Sequence, residues 1–181
     1  MDLLRPHGFE VLHQVSWPGR PQPGIDHVFV GPPGVFVMAT ESWSGTVTVE
    51  AETLRQNGYS RAQQTEAVHR SALVVGLSLG ASWAALVVPV ICLIGSAELV
   101  RTQAGPVTVL SLDQLTPWLL ARPIQLTPPG VKQVLRCLRV ALPGVTAAAS
   151  PTQASARIRL PKSQRRVPLQ IERRAVPRRE A

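Results

Sequence analysis

The sequence is poor in lysine, in cysteine and in aromatic residues. Aromatic side chains make up 4% of its 181 residues, and Lys132 and Lys162 are the only lysines. The two cysteines, Cys92 and Cys137, lie far apart in apolar surroundings, with no CxxC pair and no Cys/His ligand spacing. This pattern argues against a structural zinc site. We expect buried, reduced thiols in a cytoplasmic protein.

The sequence also lacks a basic start followed by an apolar stretch, which argues against a signal peptide. No charged residue stands between Arg70 and Glu98, a run of 27 positions. Length alone would allow a membrane-spanning helix, which needs about 20 apolar residues. Gly76, Pro89 and a change from helical to β-branched composition favour a buried helix followed by a buried strand. A membrane-associated protein with a single span near residues 71–95 stays an alternative.

Positive charge is concentrated at the C-terminal end. Residues 1–149 hold ten Lys and Arg against nine Asp and Glu, a net charge of +1, whereas residues 150–181 hold nine against two, a net charge of +7. We predict a folded domain at 1–149 and a basic, Pro- and Arg-rich disordered tail at 150–181. Such a tail serves solubility, contacts nucleic-acid phosphates without reading sequence, or contacts anionic lipid. The candidate nucleic-acid contacts are Arg157, Arg159, Lys162, Arg165, Arg166, Arg173 and Arg174.

Strand patterns dominate the first third of the chain, and helical patterns follow. Alternating or β-branched runs predict strands at 10–17, 25–31, 35–41 and 46–50, the second and third being joined as an antiparallel hairpin by Pro32-Pro33-Gly34. Further periodicity and capping signals predict a helix from Arg61, a central strand within 84–95, a strand at 107–110, a helix after Ser111 and a last helix from Thr127 to Leu142. The order predicts an α/β fold with a mixed β-sheet flanked by helices.

Several of these segments together are similar to a known family. They read VLHQVSWPGRPQPGIDHVFVGPPGVFV, WSG and LRQNG, followed later by VVPVICLIG, VTVLSLDQL and WLL. Over roughly residues 8–143 the chain resembles the NERD (nuclease-related) domain family. The resemblance implies a restriction-endonuclease-like core of the PD-(D/E)xK class. It also implies a helix with an acidic residue before the first strand. Only nine residues precede Glu10, so we expect either a core without its usual first helix or a true start that lies upstream.

In that class, the resemblance implies, an aspartate leads one hairpin strand and an acid-x-lysine triplet follows on the next. Two carboxylates hold Mg²⁺ at a phosphate oxygen, and the lysine supports the attacking water and the developing negative charge. Asp26 matches the first acid. The triplet position is Ala39-Thr40-Glu41, so alanine replaces the second acid and glutamate replaces the lysine. Strand alternation places His27 on the face opposite Asp26.

These replacements remove the groups that the chemistry needs. Exchanging +1 for −1 about 5 Å from a phosphate is worth roughly 6 kcal/mol at an effective dielectric of 20, or about four orders of magnitude in rate. We therefore predict a degenerate nuclease site in a protein that binds nucleic acid without cleaving it. We expect Mg²⁺ binding to be weak or absent, and the residues indicate no small-molecule cofactor.

An active, atypical Mg²⁺-dependent DNA endonuclease stays the alternative, with Asp26 and Glu41 as metal ligands and catalytic residues. If these two carboxylates are close without a metal, their repulsion should raise at least one pKa. Four nearby side chains could complement such a site, the first two as cations and the others as polar groups of the helix: Arg55, Arg61, Gln63 and Gln64.

Overall fold

Residues 2–18, 23–95, 101–142 and 146–147 are described by the structure, which is a computed structural model. They belong to one compact unit, Met1–Ala149. The proposed tail and its seven candidate contacts lie outside the described residues.

Ten strands and four α-helices are found in the described ranges, after a short 3₁₀ helix at Asp2–His7. In chain order the strands are β1 (Glu10–Ser16), β2 (Pro23–Gly31), β3 (Gly34–Glu41), β4 (Val47–Glu50), β5 (Thr53–Gln56), β6 (Tyr59–Ser60), β7 (Val87–Leu93), β8 (Thr102–Ala104), β9 (Val107–Ser111) and β10 (Thr146–Ala147). The helices are α1 (Ala62–Leu79), α2 (Ala81–Ala84), α3 (Leu112–Leu120) and α4 (Pro128–Ala141).

The main sheet has seven strands in the order β10-β1-β2-β3-β7-β9-β8. Strands β1, β2 and β3 pair antiparallel, β3–β7 and β7–β9 pair parallel, and β8 returns antiparallel at the edge. Parallel neighbours need a crossover connection, which α1 supplies between β3 and β7. A second sheet contains β4, β5 and β6. The prediction of a mixed sheet flanked by helices is confirmed.

The β2–β3 hairpin depends on glycine at its turn. Gly31 and Gly34 are paired across it, and Gly34 has a φ of +134°. A Cβ at Gly34 would lie 2.8 Å from the carbonyl oxygen of Leu86. That same oxygen accepts a hydrogen bond from the Val35 amide at 3.0 Å. The close approach ties the start of β3 to the end of the crossover, and only glycine permits it without a shift.

The two faces of the sheet carry separate apolar clusters. Consecutive residues of a strand point to opposite faces, so Val37 packs with residues of α1 and α4, whereas Phe36 packs with residues of α3 and the 3₁₀ helix. We call these the α1 face and the α3 face. The buried side chains that form the two clusters are at most 8% exposed. The sheet is therefore covered on both sides, as a sheet with central parallel strands requires.

The long uncharged segment is divided between different elements. It contains the end of α1, the short α2 and the buried strand β7. In the ranges that the structure describes, no helix is long and apolar enough to cross a membrane. The interpretation of residues 71–95 as one spanning helix does not hold, because α1 ends at Leu79 and the chain continues through the short α2 into β7.

Candidate functional site

Asp26 lies in β2 beside the triplet position of β3. The register pairs His27 with Met38, which puts Asp26 next to Ala39 across the strand pair. The Asp26 carboxylate accepts a hydrogen bond from the Thr40 backbone amide, at 3.2 Å to Oδ2. The hairpin register therefore places this acid beside the triplet position of β3.

A cavity of about 240 Å³ opens on the α1 face of the sheet, beside Asp26 and Ala39. The polar side chains in its wall come from β2, β3 and α1, and they are Asp26, Glu41, Gln63, Gln64 and Ser71. Ala39 contributes a methyl group beside Val37 and Val68, so the wall is apolar where the second acid of the class would stand. The structure thus brings together both predicted site carboxylates and both predicted glutamines.

Glu41 occupies the lysine position, at the end of β3. Partial burial raises the pKa of its carboxyl, and the negative charge of Asp26 raises it further. A hydrogen bond from the Trp43 side chain and the positive charge of Arg61 oppose the shift. The expectation that two neighbouring carboxylates raise at least one pKa is confirmed in direction, with burial as the larger cause.

Arg61 is the cation beside Glu41. Its guanidinium lies 5.3 Å from the centroid of the Trp43 ring, in cation–π geometry. Its Nη2 also donates to Oε1 of Gln56, whose own Nε2 donates to the Ser44 carbonyl at 2.8 Å. The guanidinium is therefore held in one orientation by an aromatic ring and an amide.

Arg55, the other candidate cation, is paired with residues that do not line the cavity. Its Nε pairs with the Glu50 carboxylate at 3.0 Å, and its Nη1 donates to the Gly58 carbonyl at 3.0 Å. These partners belong to the small second sheet and its turn. Of the two arginines, Arg61 is thus the one that can act on the charge of Glu41.

The WSG and LRQNG segments hold Trp43 in place. Asn57 accepts a hydrogen bond from the Thr46 amide at 2.9 Å and donates to the Ser44 carbonyl at 3.3 Å. Gly45 has a φ of +84°, and a Cβ there would lie 2.1 Å from Oδ1 of Asn57. These two motifs therefore interlock and position the indole above the end of β3.

His27 lies on the α3 face, as strand alternation predicts. Its ring packs edge-on against Phe29, with centroids 6.3 Å apart. Its Nδ1 is 2.8 Å from Nδ1 of His13 on β1, a contact that the sequence does not reveal because it depends on the β1–β2 register. Burial lowers the pKa of both imidazoles. Neither histidine lines the Asp26 cavity.

The described residues do not fit a Mg²⁺ centre of the expected class. Mg²⁺ requires a near-octahedral set of oxygen ligands, usually anchored by carboxylates. Here Ala39 supplies no ligand, and the Glu41 carboxylate already meets the Trp43 side chain and the charge of Arg61. Nowhere in the described ranges do three His, Cys, Asp or Glu side chains come together as a metal site.

The comparison with known proteins agrees with this geometry. Residues 1–94 match the family model for the nuclease-related domain, NERD, which is more than half of the 181 residues. The chain belongs to the NERD family. Asp26 and the altered triplet lie within the matched range, as do α1 and β7, so the NERD match includes every element of the cavity. Membership indicates a nuclease-related function. No curated protein and no solved structure matches the chain.

Replacement of Glu41 by Gln is expected to stabilise the NERD domain at neutral pH. Because the folded state raises the pKa of Glu41 above its ordinary value of 4.5, the folded state holds this proton more tightly than the unfolded state. Below the pKa of the unfolded state, Glu41 is protonated in both states and does not lower the free energy of unfolding. Above the pKa of the folded state it is ionised in both states, and the free energy of unfolding is lowered by the full amount.

Urea denaturation from pH 4 to pH 8 measures this effect. The advantage of Glu41→Gln over the wild type should grow as the pH rises through the window. Glu66→Gln serves as control, because Glu66 is exposed and pairs only with Arg70 on the surface of α1. An advantage of Glu41→Gln that is the same at every pH would contradict the raised pKa.

Proposed function

We propose that this NERD-domain protein keeps the nuclease frame but binds nucleic acid without cleaving it. The observation that carries the proposal is the pair of replacements at the triplet. Ala39 turns a methyl group toward the cavity, and Glu41 puts a negative charge where the chemistry needs a positive one. The strand pair that carries these positions is in register, and Asp26 accepts a hydrogen bond from the Thr40 amide of the next strand.

The charge balance of the cavity opposes a bound phosphodiester. Each carboxylate about 5 Å from a phosphate repels it by roughly 3 kcal/mol at an effective dielectric of 20. Asp26 and Glu41 supply two such charges, and Arg61 offsets about one. A phosphodiester there would meet net repulsion instead of the cation and metal that hydrolysis requires.

A basic stripe on α4 offers nucleic acid another place to bind. Lys132, Arg136 and Arg139 stand at spacings of four and three residues, so they share one exposed helix face. Arg139 pairs with Glu10 at 3.1 Å, whereas the other two have no carboxylate partner among the described residues. We propose that this stripe and the basic residues of 150–181 contact phosphates without reading sequence.

The cleavage test uses supercoiled plasmid and single-stranded DNA with Mg²⁺ or Mn²⁺. We expect the wild type to leave both substrates intact, at the same background as Asp26→Ala. Cleavage by the wild type that Asp26→Ala abolishes would overturn the proposal.

The binding test uses fluorescence anisotropy with a labelled oligonucleotide at several salt concentrations. Replacing two phosphate contacts should reduce the slope of log affinity against log salt by about 1.8 for duplex DNA. We expect this for Lys132→Gln/Arg136→Gln, and a larger loss when the seven candidate tail residues are changed to glutamine. Arg70→Gln, with the same loss of charge on α1, is the control. Equal affinity in all four proteins would contradict nucleic-acid binding by these surfaces.

An active, atypical Mg²⁺-dependent endonuclease is the second candidate. The observation in its favour is that Asp26 and Glu41 open onto one cavity with Gln63 and Gln64, beside the cation of Arg61. In that case Glu41→Ala should abolish cleavage as completely as Asp26→Ala. Activity that survives Glu41→Ala would exclude Glu41 as a recruited ligand.

A further inference from the structure

A larger cavity lies on the α3 face, away from the Asp26 site. Its volume is about 570 Å³, within the range of small-ligand sites. It is bounded by β8, β9 and the end of α3, and its wall includes Trp118, which packs with Phe36 on the α3 face. Val37, which follows Phe36 in β3, lines the Asp26 cavity. Because consecutive strand residues point to opposite faces, the two cavities open on opposite faces of the sheet.

Arg122 lies over two aromatic rings at the wall of this cavity. Its guanidinium carbon lies 5.0 Å from the ring centroid of Trp118 and 5.5 Å from that of Phe36. These contacts hold the guanidinium beside the two rings by cation–π attraction. The Nε atom is buried and has no hydrogen-bond partner in the described part of the chain.

Arg101 brings a second positive charge to the same cavity. No aspartate or glutamate is among the residues that line it, and no described carboxylate forms an ion pair with Arg101 or Arg122. Neutral hydrogen-bonding side chains also line the cavity. Gln103 donates to the Thr108 hydroxyl at 3.2 Å, and Thr102 lies beside them in the wall. Among the described residues, the cavity thus offers two cations and several neutral polar groups and no carboxylate.

We propose that this cavity binds a phosphate group. Guanidinium groups bind phosphate through paired N–H donors, and an arginine that is already held against aromatic rings loses less freedom on binding. A phosphate carries enough charge and enough oxygen atoms to engage both arginines at once, which one carboxylate does not. The phosphate is that of a free nucleotide or that of a nucleic-acid backbone. This inference stands apart from the nucleic-acid stripe on α4 and from any cleavage at Asp26.

Isothermal titration calorimetry of the full chain in phosphate-free, low-salt buffer tests the site. The probes are inorganic phosphate, AMP, adenosine, and a thymidine octanucleotide without a terminal phosphate. We expect AMP to bind and adenosine not to bind. Displacement of AMP by inorganic phosphate alone assigns the site to phosphomonoesters, and displacement by the octanucleotide assigns it to a backbone.

Variants separate this cavity from other basic surfaces. We expect Arg101→Gln and Arg122→Gln each to weaken AMP binding at least about tenfold, whereas Arg70→Gln leaves it within twofold. Arg122→Lys keeps the charge but not the planar donors, and it should also weaken binding if the fixed guanidinium matters. Since Arg101 is exposed, its variant reports on the site even if Arg122→Gln does not fold. No saturable AMP binding at millimolar concentration, or equal binding by Arg101→Gln and Arg70→Gln, would overturn the proposal.

Discussion

The double substitution Ala39→Asp/Glu41→Lys is expected to create Mg²⁺-dependent DNA cleavage that the wild type lacks. Position 39 faces the cavity beside Asp26, so a carboxylate there would stand next to the existing one. Reversing the charge at position 41 is worth roughly 6 kcal/mol at 5 Å and a dielectric of 20. We therefore expect a gain of about four orders of magnitude in rate over any residual activity.

Plasmid nicking with and without Mg²⁺ measures this gain. Adding Asp26→Ala to the double variant is the matched control, and it should remove the activity again. Each single substitution should fall far short of the double variant, because the metal ligands and the cation act on the same transition state. If the double variant folds but does not cleave, the site needs a further group and the two replacements do not explain its loss.

The strands and the main helices could be predicted because their signals are local. β-branched runs, the Pro-Pro-Gly turn and the capping residues Ser111 and Thr127 are signals that act over a few positions. The predicted elements are found within about two residues of their expected bounds. The short strands β5, β6, β8 and β10 were not predicted, because such strands depend more on their partners than on their own pattern.

Of the candidate site, only the positions that follow from the register of the β2–β3 hairpin could be predicted. Register alone places Asp26 beside Ala39, since it follows from the length of the β2–β3 turn. Which arginine stands beside Glu41 depends on the path of the chain after β3, and that path is set by the contact between Asn57 and Ser44. The contact of the Arg122 guanidinium with the Phe36 ring joins residues that are 86 positions apart, and no local sequence pattern predicts it.

Trp43→Ala is expected to destabilise the NERD domain by about 3–5 kcal/mol. The indole is 8% exposed and packs in the cluster of the α1 face. Its removal leaves a cavity, frees the guanidinium of Arg61 and takes away a hydrogen bond to Glu41. Thermal unfolding should show a fall in Tm of about 6–20 °C for a domain of this size.

Trp43→Phe separates the packing of the ring from its polar contact. Phenylalanine keeps much of the buried area and an aromatic face for Arg61, but it cannot donate to Glu41. The pKa of Glu41 should therefore rise further than in the wild type, because the donor from Trp43 lowers it. Stability should then fall more steeply with rising pH in Trp43→Phe, an excess that disappears in Trp43→Phe/Glu41→Gln. If instead Trp43→Phe leaves the pH dependence unchanged while Trp43→Ala unfolds early, the indole supports the frame without acting on the charge at the altered triplet.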